Sequence, residues 1–92
     1  MTINAILVTG GFDPLHSGHI KLLKDAHTFH NNVIVGLNSD EWLARKKGKP
    51  FMPYKEREII LNELNCVNKV ISFDDSDNSA NDAIKQCLED YY

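Results

Sequence analysis

Apolar positions along the chain fall into short blocks whose spacing alternates between two patterns. "INAILVT", residues 3–9, is a nearly unbroken apolar run closed by Gly10-Gly11, which predicts a strand buried on both faces followed by a tight backbone turn. From Gly18 the apolar residues take helical spacing at Ile20, Leu23, Ala26 and Phe29, which predicts an amphipathic helix ending near Asn31-Asn32. "VIVGLN", residues 33–38, reads as a second strand, and "SDEWLARKKGKPFMP" as a loop with one helical turn around Glu41 to Ala44. Pro53 suits the first position of a helix. Glu56 and Glu58 fall in its early turns and Ile60, Leu61 and Leu64 on its apolar side, out to about Asn65. "KVISF", residues 69–73, predicts a third strand. "SANDAIKQCLED" predicts a last helix, with Ala80, Ala83, Ile84, Cys87 and Leu88 on one face.

Three strand–helix units joined by connections too long for hairpins imply an α/β fold: a Rossmann-like parallel sheet with right-handed crossovers and flanking helices. Ligands of such sheets bind beyond the carboxyl ends of the strands. Residues 10–19 follow strand one and residues 38–49 follow strand two, and the polar chemistry of the chain is concentrated in those two stretches.

Composition narrows the partners. The 92 residues, 42% hydrophobic and 25% charged, suit one domain spanning 1–92 that buries a little over half of its unfolded surface. No apolar run approaches a bilayer span, and the N-terminus has no basic flank ahead of an apolar core, so a cytoplasmic protein without a membrane partner is expected. Cys66 and Cys87 lack the paired spacing of a zinc site or redox dithiol and are expected as free, buried thiols. A net charge of -3 argues against nucleic acid as a general partner. The cluster Arg45, Lys46, Lys47 and Lys49 suits a small anion instead.

The stretch "LVTGGFDPLHSGHIKLL", residues 7–23, carries the candidate chemistry. Gly10 and Gly11 allow the main chain to turn and bring its N–H groups close to a ligand. The helix starting near Gly18 offers unpaired N–H donors and partial positive charge to an anion, for which phosphate is the obvious guest. His16 and His19 can both lean toward that anion and, as neutral donors, stabilise charge developing in a transition state. No third ligand has metal spacing with the two imidazoles, which argues against zinc. His27 and His30 repeat the same spacing at the far end of the helix, where favourable C-terminal charges or surface groups are expected.

"GGFDPLHSGH" resembles the signature loop of the cytidylyltransferase-like nucleotidyltransferases, Gly-x-Phe-Asp-x-x-His-x-Gly-His. The likeness continues through "GLNSDEW", "RKKGKPFMPYKERE" and "VNKVISFDD", to about Asp75. These segments are similar to glycerol-phosphate cytidylyltransferases and to the adenylyltransferase domain of sugar-phosphate (heptose-phosphate) enzymes. The resemblance implies transfer of CMP or AMP from CTP or ATP to a sugar- or polyol-phosphate, with release of pyrophosphate, a divalent metal (Mg2+) and no covalent enzyme intermediate. It implies that His16 and His19 stabilise charge at the α-phosphate, that Lys46 contacts phosphate, and that Gly10, Gly11, Phe12, Asp13 and Gly18 shape the nucleotide pocket. It further implies that Asp13 helps organise the metal and that Asp40, Trp42 and Arg57 lie near the acceptor. The family's habit implies a homodimer.

Two departures from the pattern matter. Where the cytidylyltransferases carry a second Lys two residues after the first, this chain has Gly48 followed by Lys49, which is nearer the adenylyltransferase pattern and leaves the base open. The family's Arg-Thr-x-x-x-Ser-Thr-like segment has no match, since the only arginines are Arg45 and Arg57. The chain therefore reads as the N-terminal portion of the fold, with a sheet edge open to pairing and weak activity on its own. The rival reading is a non-catalytic nucleotide-binding or assembly module that retains the signature loop; an adenylyltransferase for a cofactor precursor such as phosphopantetheine has less support along the chain.

Overall fold

The computed structural model describes residues 4–91. Three parallel strands, β1 (Ile6–Gly10), β2 (Val33–Leu37) and β3 (Lys69–Ser72), form a sheet in the order β1-β2-β3. Ile6 pairs with Val33 and Gly10 with Leu37 across the first ladder; Val35 pairs with Val70 across the second. The helices are α1 (Ser17–Phe29), α2 (Asp40–Lys47), α3 (Tyr54–Asn62) and α4 (Asn81–Tyr91). The α/β Rossmann-like architecture expected from the alternating pattern is the one observed.

Strand period divides the core into two layers. Val33, Val35 and Leu37 point to one face of β2 and pack with Leu23 and Ala26 of α1, Leu61 of α3 and Val67. Gly36 points to the other face, where a Cβ would lie 3.0 Å from Thr9 Cγ2 and 3.4 Å from the Ala83 Cβ of α4. The missing side chain thus lets α4 lie close on the sheet. Helix α4 crosses back over that face. Gln86 Nε2 donates to Ser72 O beside β3 (2.9 Å), and Asn4 N–H, ahead of β1, donates to Tyr91 O (3.2 Å).

The boundaries differ from expectation where end chemistry outweighs apolar spacing. Helix α2 runs from Asp40 to Lys47, twice the length of the turn expected at Glu41–Ala44. Ser39 Oγ caps it by accepting Trp42 N–H (3.1 Å), acids occupy its first turn and bases its last, and Gly48 ends it at φ 91°. The basic cluster is therefore mostly helical and not a loop. Helix α3 has Pro53 as its N-cap, not as its first residue, and stops at Asn62 because Glu63 and Leu64 close i→i−3 turns onto Ile60 and Leu61.

Strand β1 begins at Ile6 and is half-buried, not enclosed on both faces, and among the described residues β2 is its one strand neighbour; Ile3, the expected start, falls outside the described residues. Of the apolar face expected for α4, Ala83 is fully buried but Ile84 and Leu88 are 47% and 50% exposed. Phe29, expected on the buried side of α1, is 80% exposed. Cys66 and Cys87 are free thiols, half-buried. No helix among the described residues is long and apolar enough to cross a membrane.

Candidate active site

The carboxyl ends of β1 and β2 open into a cavity of about 640 Å³ that contains Gly10, Gly11, Phe12, Asp13, His16, His19, Trp42 and Lys46. Thr9, Pro14 and Leu43, which sequence reasoning did not single out, also line it, with Asn38 and Lys47 from the stretch after β2. The fold thus brings the signature loop and α2 together around one space.

The two histidines form a reciprocal cap at the start of α1. His16 is the N-cap, and its Nδ1 accepts Gly18 N–H (3.1 Å) while its own backbone N–H donates to His19 Nδ1 (3.1 Å). An Nδ1 that accepts cannot carry a proton, so both rings hold theirs on Nε2. The rings stack at 3.8 Å, and the edge of Phe12 meets His19 at 4.9 Å. Burial, and then the charge on His16, push His19 below its ordinary value of 6.5. Near neutral pH the pair presents Nε2–H donors beside a helix N-terminus, and that arrangement suits an anionic oxygen.

Glycine and strain shape the loop around them. A Cβ on Gly18 would sit 2.9 Å from His16 Cε1, so a side chain there would displace the capping ring; one on Gly11 would sit 2.8 Å from Leu43 Cδ2 of α2. Phe12 is buried at φ 49°, a left-handed conformation that non-glycine residues adopt at a cost of order 1–3 kcal/mol. Its ring is the surface on which His19 rests.

Asp13 is committed to the protein. Its carboxylate accepts Phe51 N–H and Met52 N–H, each at 2.6 Å, and pairs with Lys47 Nζ at 2.7 Å, with only 1% of the side chain exposed. Burial raises the carboxyl's pKa, but Lys47 and the two amides outweigh it, leaving Asp13 below the ordinary 3.8. A metal bound directly to Asp13 would have to displace Lys47. The described residues contain no cluster of three His, Cys, Asp or Glu side chains able to hold a metal ion. The magnesium role expected of Asp13 thus has no fit as direct coordination; the side chain pins residues 51 and 52 against the signature loop.

Arg57, expected near an acceptor phosphate, is fully buried and tied to three loops. It donates to Met52 O (3.0 Å), Gly11 O (3.0 Å) and Asn38 O (2.8 Å), and pairs with Asp40 at 2.6 Å. Both Asp40 and Arg57 therefore bind each other and hold the loops, and neither lines the cavity. Asp75 performs the same service from the β3–α4 loop, accepting Asn38 Nδ2, Ser39 N–H and Ser39 Oγ at 2.7–3.0 Å. Burial pushes Asp75 up, yet these donors hold it below 3.8.

The lysines of α2 diverge because successive helical residues point about 100° apart. Lys47 turns to Asp13, whereas Lys46 Nζ lies 4.7 Å over the Trp42 ring and lines the cavity. Lys46 and Trp42 also border a smaller adjoining cavity of about 280 Å³ with Arg45 and Asn78. Arg45 is anchored there by Asp75 O (2.7 Å) and Asn78 Oδ1 (3.1 Å).

A Rossmann-like parallel sheet thus places a glycine turn, a histidine-capped helix and a lysine around one cavity beyond its strand ends. The cytidylyltransferase-like family profile matches residues 7–90, and the chain belongs to that family. The chain is 44% identical over 72 residues to the bifunctional protein HldE of Geotalea uraniireducens, covering 76% of this chain and 15% of that protein. It is 40% identical over 72 residues to the bifunctional protein HldE of Helicobacter pylori strain 26695, covering 76% of this chain and 16% of that one. Its fold is similar to the crystal structure of the lipopolysaccharide core biosynthesis protein from Thermoplasma volcanium, with a TM-score of 0.75 and 29% identity over 96% of this chain and 68% of that one. The chain thus spans about 15% of the length of the curated relatives it matches.

Proposed function

We propose that the chain carries a nucleotidyl-transfer site that moves CMP or AMP from CTP or ATP to a sugar- or polyol-phosphate. The acceptor's phosphate oxygen attacks the α-phosphorus, a new P–O bond forms, and the bond to the bridging oxygen breaks to release pyrophosphate. Such chemistry depends on positioning and charge stabilisation more than on covalent participation. The observation that carries the reading is the reciprocal cap, which supports two Nε2–H donors beside the glycine turn. In this reading His16 and His19 hydrogen-bond the α-phosphate oxygens, and Lys46 supplies charge to a neighbouring phosphate. Gly10, Gly11 and Phe12 give the nucleotide its close backbone wall, while Trp42 offers a face to the acceptor. Asp13, Asp40 and Arg57 act by holding the loops in place. Magnesium enters as the triphosphate's own counter-ion, which is its usual mode with nucleotides.

The test is pyrophosphate release by the 92-residue chain with CTP or ATP across a panel of sugar- and polyol-phosphates, alongside calorimetric nucleotide binding. Turnover with one acceptor class supports transfer. Nucleotide binding without turnover, under any acceptor, supports the non-catalytic module instead. Absence of both overturns the nucleotide reading.

A further inference from the structure

Helix α2 and the β3–α4 loop enclose a side cavity of about 280 Å³ lined by Trp42, Arg45, Lys46 and Asn78. Trp42 and Lys46 also line the cavity of about 640 Å³, so the two spaces share a wall. The loop is fixed where it meets the helix. Asp75 O accepts both Asn78 N–H (2.9 Å) and Arg45 Nη2 (2.7 Å), and Asn78 Oδ1 accepts Arg45 Nε (3.1 Å). The buried Asp75 carboxylate grips Ser39, the N-cap of the same helix, so α2 and the loop are tied near both helix ends. Asn78 closes the turn at φ 63°, a conformation that Asn and Asp tolerate better than other side-chain residues.

Every polar side chain on this lining presents donors. With Oδ1 held by Arg45, Asn78 offers its Nδ2–H groups. Arg45 gives one N–H to Asp75 O and one to Asn78, which leaves the rest of its fork for other acceptors. Lys46 and the Trp42 indole carry donors only. Asp74 and Asp77, from the same loop, accept Ser76 Oγ (2.6 Å) and Ser79 Oγ (2.8 Å), and neither lines the cavity. Such a wall suits a group that only accepts, a carboxylate or a phosphate. A hydroxyl gives it lone pairs alone, and a cationic headgroup is repelled by Arg45 and Lys46.

We propose that the side cavity is a second anion subsite, and that the phosphorylated acceptor carries a carboxylate or a second phosphate at the end remote from its reacting phosphate. The inference rests on the transfer reading and narrows its substrate class. Lys46 stands between the two anions, while Arg45 and Asn78 discriminate for the remote one.

Trp42 is the chain's one tryptophan, so its fluorescence reports on the shared wall. Titrations pair glycerol 3-phosphate with 3-phosphoglycerate, which adds a carboxylate, and glucose 1-phosphate with glucose 1,6-bisphosphate, which adds a phosphate; CTP and ATP are titrated in parallel. The doubly anionic member of at least one pair is expected to bind about tenfold or more tightly, and the pair that shows the preference identifies the anion. Asn78→Asp keeps an acceptor for Arg45 but replaces the amide donors with negative charge, and is expected to abolish the preference. Lys49→Ala makes the same change in net charge outside the cavity and is expected to retain it. Equal affinities within both pairs, with CTP or ATP bound normally, overturn the subsite and leave the transfer reading standing. Survival of the preference in Asn78→Asp, or its equal loss in both variants, overturns the subsite as well. A preference without nucleotide binding supports the subsite and counts against transfer, whereas no binding of any compound overturns both. Should Asn78→Asp unfold by circular dichroism, Arg45→Lys takes its place, since it keeps the charge and loses the fork.

Discussion

Helix α1 carries two histidine pairs of identical spacing, one at each end, and their surroundings give them different chemistry. At the start, His16 and His19 cap the helix reciprocally, stack on each other and line the large cavity behind a glycine turn. At the end, His27 is exposed in the last turn, and His30 is the C-cap, its Nδ1 accepting Asn32 N–H at 2.9 Å. His30 thus also holds its proton on Nε2, so the tautomer alone does not separate the pairs. What separates them is the helix terminus: unpaired N–H groups and partial positive charge at one end, unpaired carbonyls and partial negative charge at the other. Spacing places two rings together; the helix end decides whether their surroundings suit an anion.

The comparison breaks most sharply at turnover. His16→Ala and His19→Ala are each expected to slow the chemical step about a hundredfold or more, roughly 3 kcal/mol of lost transition-state stabilisation. His27→Ala, the matched substitution at the other end, is expected to leave pyrophosphate release unchanged. Equal small effects from all three would remove the distinction between the ends.

Stability offers the next contrast, since only the N-terminal end is held down by a buried carboxylate. Asp13→Ala leaves Phe51 N–H and Met52 N–H without their acceptor and Lys47 with only the carbonyl of residue 13, and urea unfolding should register a loss of about 1–3 kcal/mol. His27→Ala should fall within about 0.5 kcal/mol of the parent. A stable Asp13→Ala chain with an intact site would show that the 51–52 loop needs no clamp.

Acid should act on the same end. His19 sits below 6.5 in the folded chain, so between that ordinary value and the folded one the unfolded chain binds more protons. Its contribution to stability is intact above 6.5 and is lost as pH falls from 6.5 through the folded value. Protonation there also places a proton on Nδ1 and breaks the cap to His16 N–H. Nucleotide binding should therefore be level above 6.5 and decline below it, and a His19→Gln chain should lose that part of the profile. The smallest expected effect is at Lys46, where Lys46→Ala should weaken nucleotide binding a few-fold and flatten its salt dependence, because an exposed cation acts by screened charge.

The parts of this molecule legible in the sequence are those written in apolar spacing or in the order of the signature loop. The strand–helix alternation, the parallel sheet and the meeting of Gly10, Gly11, Phe12, His16 and His19 at one strand end were all readable that way. Helix α2 was not, because it has few apolar positions; its signals are the Ser39 cap, the acid-to-base charge order and Gly48. Asp13 and Arg57 were visible as residues but not as partners. A carboxylate and a guanidinium near a phosphate site look the same in sequence whether they face the ligand or the backbone of a loop thirty or more residues away, and only the fold pairs Asp13 with Lys47 and Arg57 with Gly11 O. Asp75 escaped notice because its three donors, from Asn38 and Ser39, lie across the sheet. The exposure of Ile84, Leu88 and Phe29 was hidden for a similar reason: helical spacing names an apolar face without saying what lies opposite it.

In the proposed reading, the reciprocal cap at the start of α1 turns His16 and His19 into a pair of Nε2–H donors to phosphate. Nitrogen-15 NMR of the four imidazoles, recorded near neutral pH while CTP or ATP is added, tests it most directly. His16 and His19 should both show a bare Nδ1 and a protonated Nε2, and their Nε2 signals should move with nucleotide while those of His27 and His30 stay still. A proton on Nδ1 of either ring, or a nucleotide response shared equally by both ends of α1, would contradict it.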